Sequence, residues 1–365
     1  LATKENAGTM SNDVLNNPFV DTTNAQRYAT IFLTWLLYLK LLIFPWHLSY
    51  DYNYNQIPVT DFSNPLVLLS IAIHIGLFVV AIYCFRRKPV YSFSILFYFI
   101  TFSVVSNIFF NTGTPLAERF VLIPGIGFCL AIVAFFINAF EKLKLKKTIS
   151  LLLITSVIVF FTIRNILRCG DWKDNNTLFL ADVTQTPNSA KSQLNAGIAC
   201  LNLATESTGS EKENWINQSF TYLQKGISIY PKKIDGYINM GVGYSWKNEF
   251  DNAEVWWKRA KALNPLSPEL TTPNKVLAGH YFKQGMQLGV EKNYAASIKS
   301  MLHAWQYDTL NAEISFNLGG AYYTLQIFDS AAFYFQKTLL LNPEYQNAAN
   351  GLQAATIARN RKKEK

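Results

Sequence analysis

Residues 120–140 read FVLIPGIGFCLAIVAFFINAF and contain no charged side chain. A helix needs about 20 residues to cross the hydrocarbon core of a bilayer, so this run is long enough to span one. Similar uncharged runs occupy Leu66–Phe85, Tyr91–Phe110 and Thr148–Ile163. Four such runs in succession predict a polytopic membrane protein. They exclude an ordinary soluble enzyme, as does a charged fraction of only 16%.

A fifth apolar stretch, Tyr28–Pro45, is shorter and carries Lys40 near its end. It either spans the membrane, with Lys40 extending its ammonium group to the interface, or lies along the surface or re-enters. The sequence therefore predicts four or five membrane helices.

The net charge of +9 is concentrated in three places, which are Arg86–Lys88, the stretch 142–147 and the tail 359–365. The first two are short loops between apolar runs, where Lys and Arg mark the cytoplasmic side. This topology puts residues 1–65, the loop 111–119 and everything after Arg168 on the outer side. It also makes nucleic-acid binding a poor interpretation of the charge.

The region after Pro187 contains an internal repeat. Residues 238–265, INMGVGYSWKNEFDNAEVWWKRAKALNP, align with residues 316–343, FNLGGAYYTLQIFDSAAFYFQKTLLLNP, at an offset of 78. Turn positions at 231, 265, 309 and 343 give a unit of 34 residues with one insertion of ten. Helix pairs of this length with small residues at the crossing are tetratricopeptide repeats.

The predicted fold is therefore all-α, a polytopic helical membrane bundle followed by a tetratricopeptide-repeat solenoid. The predicted divisions are an outer segment 1–65 containing the helix 28–45, a four-helix membrane region 66–168, four repeats at 187–343, and a capping helix with a basic tail at 344–365.

Candidate ligand-binding side chains lie in the three predicted outer loops. They are His47, Asp51 and Gln56 in the first, Glu118 and Arg119 in the second, and Arg164 and Arg168 in the third. Arginine at a helix N-terminus binds phosphate, so an anionic lipid headgroup or a phosphosugar is the expected ligand. The alternatives are an aromatic interfacial belt in the first loop, a local Glu–Arg ion pair in the second and headgroup contact in the third.

The repeats offer a groove for an extended peptide. Tyr237, Tyr244, Tyr281 and Tyr322 lie on or near first helices and are candidates to line it, although most aromatic residues in such repeats belong to the core. The four cysteines form no metal-binding pattern, and no metal site is predicted.

Two blocks resemble a known family. SYDYNYNQIP at 49–58 and NTGTPLAERFVLIPGIGF at 111–128, followed by the repeats, are similar to the transmembrane-and-TPR protein O-mannosyltransferases and their bacterial relatives. The resemblance implies a glycosyltransferase of the GT-C superfamily. Such an enzyme moves a sugar, typically mannose, from a polyprenyl or dolichyl phosphate carrier to Ser or Thr of proteins in the periplasm or the endoplasmic reticulum lumen.

In such an enzyme Arg119 would steady the leaving phosphate, and the repeats would bind the acceptor protein or peptide. No cofactor beyond the donor substrate is implied. The family's acidic catalytic motif, in its first outer loop, has no match here. We therefore expect the chain to be a C-terminal portion whose catalytic carboxylate lies upstream of Leu1, with Asp51 as the substitute candidate. The alternative is a non-enzymatic, membrane-anchored repeat scaffold that recruits protein partners.

Overall fold

The computed structural model describes residues 13–15 and 17–363, so the beginning of the segment 1–65 and the end of the basic tail lie outside the described residues. Every regular element in the described ranges is helical, which confirms the all-α prediction. The α-helices are α1 Asn24–Ile43, α2 Pro65–Arg87, α3 Pro89–Val105, α4 Leu122–Lys142, α5 Lys147–Asp171, α6 Asn175–Gln185, α7 Ala190–Glu206, α8 Gly209–Ile229, α9 Ile234–Trp246, α10 Phe250–Leu263, α11 Thr271–Val290, α12 Tyr294–Tyr307, α13 Ala312–Thr324, α14 Phe328–Leu341 and α15 Gln346–Lys363. Short 3-10 helices occupy Glu118–Val121 and Pro268–Leu270.

The chain divides into two compact units, residues 1–236 and 237–365. The first contains the apolar helices, α6 and the helix pair α7–α8. The second contains the three further pairs α9–α10, α11–α12 and α13–α14, followed by α15. The division falls inside α9, so the predicted domain boundaries remain a prediction.

Within the described residues, three helical segments are long and apolar enough to cross a membrane, namely Pro65–Arg87, Glu118–Lys142 and Lys147–Asp171. The fourth predicted span, α3, has 17 residues. At about 1.5 Å per residue it is roughly 25 Å long, slightly less than the hydrocarbon core. The predicted class of helical membrane protein is confirmed.

The fifth apolar stretch forms α1, whose first turn is closed by a capping box between Thr23 and Gln26. It packs on α2 and α3 through aromatic rings. The Trp35 ring lies 4.9 Å from His74 and 5.6 Å from Phe102. His74 is buried among these rings. Whether α1 spans the membrane remains a prediction.

Helices α3 and α4 approach closely because Gly127 has no side chain. A Cβ atom there would lie 2.5 Å from the carbonyl oxygen of Ser94 and 2.9 Å from the amide nitrogen of Tyr98. Helix α5 packs much less closely than α3 and α4, because Arg168 is its one buried residue. The remaining side chains of α5 leave an open groove beside α4.

Each described repeat is a helical hairpin with a small residue at the crossing. A Cβ atom on Gly197 would lie 2.6 Å from Leu223, one on Gly285 2.6 Å from Met301, and one on Gly319 2.7 Å from Phe335. The glycines are therefore required for these close contacts, as the repeat pattern predicts. The ten-residue insertion contributes to α11, which has 20 residues, whereas α9 and α13 have 13 each.

Candidate functional site

Asp182 of α6 is the centre of a buried polar network. Its side chain has no exposed surface. One carboxylate oxygen accepts hydrogen bonds from the backbone nitrogen of Tyr50 at 2.6 Å and from the hydroxyl of Ser49 at 3.2 Å. The other oxygen pairs with Arg168 at 2.7 Å. Asp182 therefore fixes the first outer loop against α5 and α6.

Arg168 is surrounded by carboxylates. Besides Asp182, it pairs with Glu118 at 3.1 Å and with Asp171 at 3.2 Å. Only 8% of the residue is exposed. The two terminal guanidinium nitrogens are thus engaged by carboxylates, while Nε is buried without a hydrogen-bond partner. The ion pairs connect the loop that contains Glu118 with the segment 164–179. The structure brings Arg168 and Glu118 together as an ion pair, in a geometry that leaves Arg168 little capacity for a phosphate.

Asp51 lies in a second part of the same network. Its Oδ1 accepts a hydrogen bond from the hydroxyl of Thr114 at 2.5 Å, and its Oδ2 pairs with Lys191 of α7 at 2.9 Å. The residue is 4% exposed. Both carboxylate oxygens of Asp51 are therefore occupied by groups of the protein itself.

Two tyrosines support the first outer loop. The hydroxyl of Tyr52 donates to the carbonyl of His47 at 2.6 Å, and the hydroxyl of Tyr50 accepts from the Asn195 amide at 2.7 Å. Burial raises the pKa of Tyr50 and of Tyr52 above the ordinary value, and the nearby carboxylates raise it further. Both phenols therefore stay neutral and act as hydrogen-bonding groups.

Arg119 differs from Arg168 because its side chain is exposed. One guanidinium nitrogen donates to the carbonyl of Tyr50 at 3.2 Å, and the group lies 5.0 Å from the Phe120 ring. A guanidinium has five N–H donors, so most of its donor capacity faces outward. The following helix, α4, continues directly from the 3-10 turn Glu118–Val121, and the backbone N–H of Leu122 donates to the carbonyl of Arg119.

Arg164 braces the end of α1. It donates to the carbonyl of Trp46 at 2.7 Å and lies over the Trp46 ring at 5.0 Å. This arrangement accounts for the basic residue near the C-terminal end of α5 without a ligand.

His47 and Gln56 line a polar cleft of about 510 Å³ at the end of α1. Nδ1 of His47 donates to the side-chain oxygen of Gln185 at 2.9 Å, and the Gln56 side chain accepts from the backbone of Asn188 at 3.0 Å. Lys40 also lines this cleft. Polar groups of this kind, next to the rings of Trp46 and Tyr52, suit a hydroxylated ligand.

An apolar groove runs between α4 and α5. Its outer part, about 690 Å³, contains Glu118 as the single charged lining residue. The groove continues into a second cavity of about 290 Å³, which shares five lining residues with the first and extends to Phe140 and Leu153. It therefore runs along α4 and α5 from the polar network toward the loop between these two helices.

The four candidate groove tyrosines are largely packed within the second unit. Tyr281 is 6% exposed and donates to Glu254. Tyr322 stacks on Tyr334, with ring centroids 5.5 Å apart. The ring of Tyr237 lies 6.0 Å from that of Trp256, and Tyr244 packs at the edge of the core around Trp257.

Three residues of the network, Asp182, Lys191 and Thr114, were not among the candidates from the sequence. Each lies in a different element from its partner, and no spacing rule connects them. Residues 13–15 and 17–363 contain no cluster of His, Cys, Asp and Glu able to hold a metal.

These helices, loops and hairpins define a helical membrane protein that carries tetratricopeptide repeats. No protein-family model matches the chain. It is 27% identical over 230 residues to the protein O-mannosyl-transferase TMTC3 of Mus musculus, which is 62% of this chain and 24% of that protein. It is 29% identical over 164 residues to the human protein O-mannosyl-transferase TMTC4, covering 43% of this chain and 22% of that protein.

The chain is thus similar to the transmembrane-and-TPR protein O-mannosyltransferases, which confirms the resemblance found in the sequence. It spans about a quarter of the length of these curated relatives. Among solved structures, MamA is 18% identical, with 51% of this chain and 92% of MamA covered and a TM-score of 0.30. YrrB, a tetratricopeptide-repeat protein with an unusual peptide-binding site, is 15% identical, with 60% and 97% covered and a TM-score of 0.28.

Proposed function

We propose that this chain supplies the carrier-binding and acceptor-binding parts of a membrane glycosyltransferase. The enzyme would move a sugar, mannose by analogy with its named relatives, from a polyprenyl or dolichyl phosphate carrier to Ser or Thr of proteins on the outer side of the membrane. The observation that carries the proposal is the apolar groove between α4 and α5, which ends at a polar network and an exposed arginine.

The groove suits the hydrocarbon tail of the carrier. Its walls are apolar over both cavities, and it lies along helices that are long enough to span a bilayer. A tail in the groove would keep the phosphate at the outer ends of α4 and α5. This is the depth at which Glu118 and Arg168 form their ion pair.

Arg119 is the candidate for the phosphate. It is exposed where the 3-10 turn Glu118–Val121 leads into α4, so its charge acts at the N-terminal end of that helix. As the sugar leaves the carrier, negative charge grows on the phosphate oxygens, and a preorganised cation stabilises that charge. The polar cleft with His47, Gln56 and Lys40 would receive the sugar hydroxyls.

The network of Asp51 and Asp182 would act as a support rather than as a base. Both carboxylates are buried and paired with cations, so their task is to hold the outer loops in position. The proposal leaves the proton-accepting carboxylate unassigned. The repeats would bind the acceptor, as the resemblance implies.

The test is the substitution Arg119→Ala in the complete protein. Sugar transfer from the lipid carrier to an acceptor peptide should fall by about 100-fold, the usual effect of removing one transition-state donor. Arg119→Lys should retain part of the activity. The matched control is Arg86→Ala, which removes a cation at the cytoplasmic end of α2. Unchanged transfer in Arg119→Ala would contradict the phosphate role, and absence of any transfer by the wild-type protein would favour the anchored scaffold.

A further inference from the structure

Two surface clefts in the second unit occupy equivalent positions. The first, about 770 Å³, lies between the α9–α10 turn and α11. The second, about 850 Å³, lies between the α13–α14 turn and α15. Their lining residues correspond at an offset of 78, the offset of the sequence repeat. The corresponding pairs are Asn248 and Gln326, Phe250 and Phe328, Val276 and Ala354, Gly279 and Ile357, His280 and Ala358, Lys283 and Arg361, and Gln284 and Lys362.

The clefts recur at every second repeat because the following helices differ in length. Lys283 and Arg361 each lie 18 residues after a turn position, at Pro265 and Pro343. The corresponding residue after the intermediate turn is Ile327, which lies beyond the end of α13 at Thr324. The longer helices α11 and α15 extend past that point and form the second wall of each cleft.

Both clefts combine an aromatic floor with positive charge. Phe250 stacks on the His280 ring at 3.8 Å, and the Lys362 ammonium lies 5.8 Å from the Phe328 ring. Lys283 and Arg361 are exposed, and within residues 17–363 neither forms an ion pair. The lining residues of the two clefts include three lysines or arginines and no carboxylate.

We propose that the two clefts together bind one extended acidic segment of a partner protein, with an apolar anchor in each cleft. Charge complementarity selects an acidic partner, and the aromatic floors select apolar anchors beside the acidic residues. Packed helices lie about 10 Å apart, so α11 and α15, separated by α13, are roughly 20 Å apart. An extended chain covers that distance with about six residues. This inference does not depend on the proposed transferase activity.

The probe is a fluorescein-labelled synthetic peptide with two Asp-Glu-Phe blocks joined by a Gly/Ser spacer of about six residues. Its binding to the purified full chain in detergent is followed by fluorescence anisotropy. We expect it to bind at least about tenfold more tightly than a peptide with one block, because the second block binds intramolecularly. Equal affinity of the two peptides would overturn the proposal of two cooperating clefts.

The double variant Lys283→Glu with Arg361→Glu should abolish the tighter binding of the two-block peptide. The matched control, Lys261→Glu with Lys299→Glu, makes the same change in charge at exposed positions outside both clefts and should bind as the wild type. A charge-swapped peptide, with Lys-Lys-Phe blocks, should bind the first variant, which also proves that the variant is folded. Undiminished binding of the acidic peptide to that variant would overturn the proposal. So would binding of the wild type to vesicles containing phosphatidylglycerol but not to the peptide, which would assign the clefts to a membrane surface.

Discussion

Arg168 is the residue on which the outer network depends most. It compensates Asp182, which is fully buried, and also pairs with Glu118 and Asp171. Removal of one partner from a buried ion pair leaves an uncompensated charge and costs about 3–5 kcal/mol. We therefore expect Arg168→Met to lower the unfolding free energy by this amount.

Thermal unfolding in detergent, followed by size-exclusion chromatography, measures this effect. Arg86→Met, in the last turn of α2, is the control and should unfold like the wild type. The double variant Arg168→Met with Asp182→Leu removes both charges and should recover part of the loss. A wild-type unfolding temperature for Arg168→Met alone would show that the network contributes little.

Glu254 makes the stability of the second unit depend on pH. Burial opposes its ionisation, but contacts with Lys258 at 2.6 Å, Tyr281 and Tyr307 outweigh that effect and lower the pKa of Glu254 to about 2. Because this pKa is depressed in the folded state, the stabilisation is complete above the ordinary value, near 4.5, and is lost as the pH falls toward 2.

The unfolding temperature of the repeats should therefore decrease between pH 5 and pH 3 by more in the wild type than in Glu254→Gln. Differential scanning fluorimetry of the full chain at pH 5 and at pH 3 measures this decrease in the unfolding temperature. Glu344→Gln, at an exposed carboxylate, is the control and should retain the wild-type profile. Parallel curves for the wild type and Glu254→Gln would contradict the assignment.

At the scale of residues, the sequence predicts which side chains belong to the candidate site better than it predicts which side chains they pair with. The candidates Glu118, Arg119 and Arg168 do come together, with Asp51 in the neighbouring loop, because all four lie in or beside the loops that the hydropathy pattern delimits. Their pairing was not predictable, since Arg168 binds Asp182 across a turn and Asp51 binds Lys191 at a separation of 140 residues. Long-range contacts of this kind follow from packing and leave no periodic signal.

At the scale of elements, the contact between α3 and α4 depends on Gly127. Its missing side chain allows the Ser94 carbonyl to approach to a distance that a Cβ atom could not tolerate. Gly127→Ala should therefore push the helices apart and cost about 1–3 kcal/mol, the usual effect of overpacking. Thermal unfolding in detergent provides the measurement. Gly76→Ala in α2 is the matched control, because a Cβ atom there meets no other atom within 4 Å.

Elements were the most predictable level of this protein. Uncharged runs of 16 to 21 residues directly gave α2 to α5, and the 34-residue unit gave the hairpins α9–α10 and α13–α14. The length of α3 was less predictable. Its predicted run continued to Phe110, but the helix ends at Val105, and Asn107 has a φ of 61° in the left-handed region. Hydropathy records apolar composition and does not record where the backbone stops being helical.

For the whole molecule, the charge pattern predicts that the repeats and the Lys142–Lys147 loop lie on opposite sides of the membrane. Cysteines introduced one at a time test this in a background with Cys129→Ser and Cys169→Ser, since these two native cysteines are exposed and Cys84 and Cys200 are buried. A membrane-impermeant maleimide added to intact cells or sealed microsomes should distinguish Leu310→Cys from Lys146→Cys, with only one of them labelled before the membrane is opened. Equal labelling of both positions would contradict the predicted topology.

The backbone contacts between the first outer loop and the start of α7 should keep the protein together after proteolytic cleavage between α6 and α7. The amide of Asn55 donates to the Asn188 carbonyl at 3.1 Å, and the amide of Ala190 donates to the Tyr54 carbonyl at 2.7 Å. Together with the Lys191–Asp51 ion pair, these hydrogen bonds attach the start of α7 to the loop that contains residues 51–55. This attachment is independent of the covalent connection between α6 and α7. A protease cut in the connection between α6 and α7 would therefore leave two fragments that remain associated, and the severed repeats would still copurify with the membrane helices.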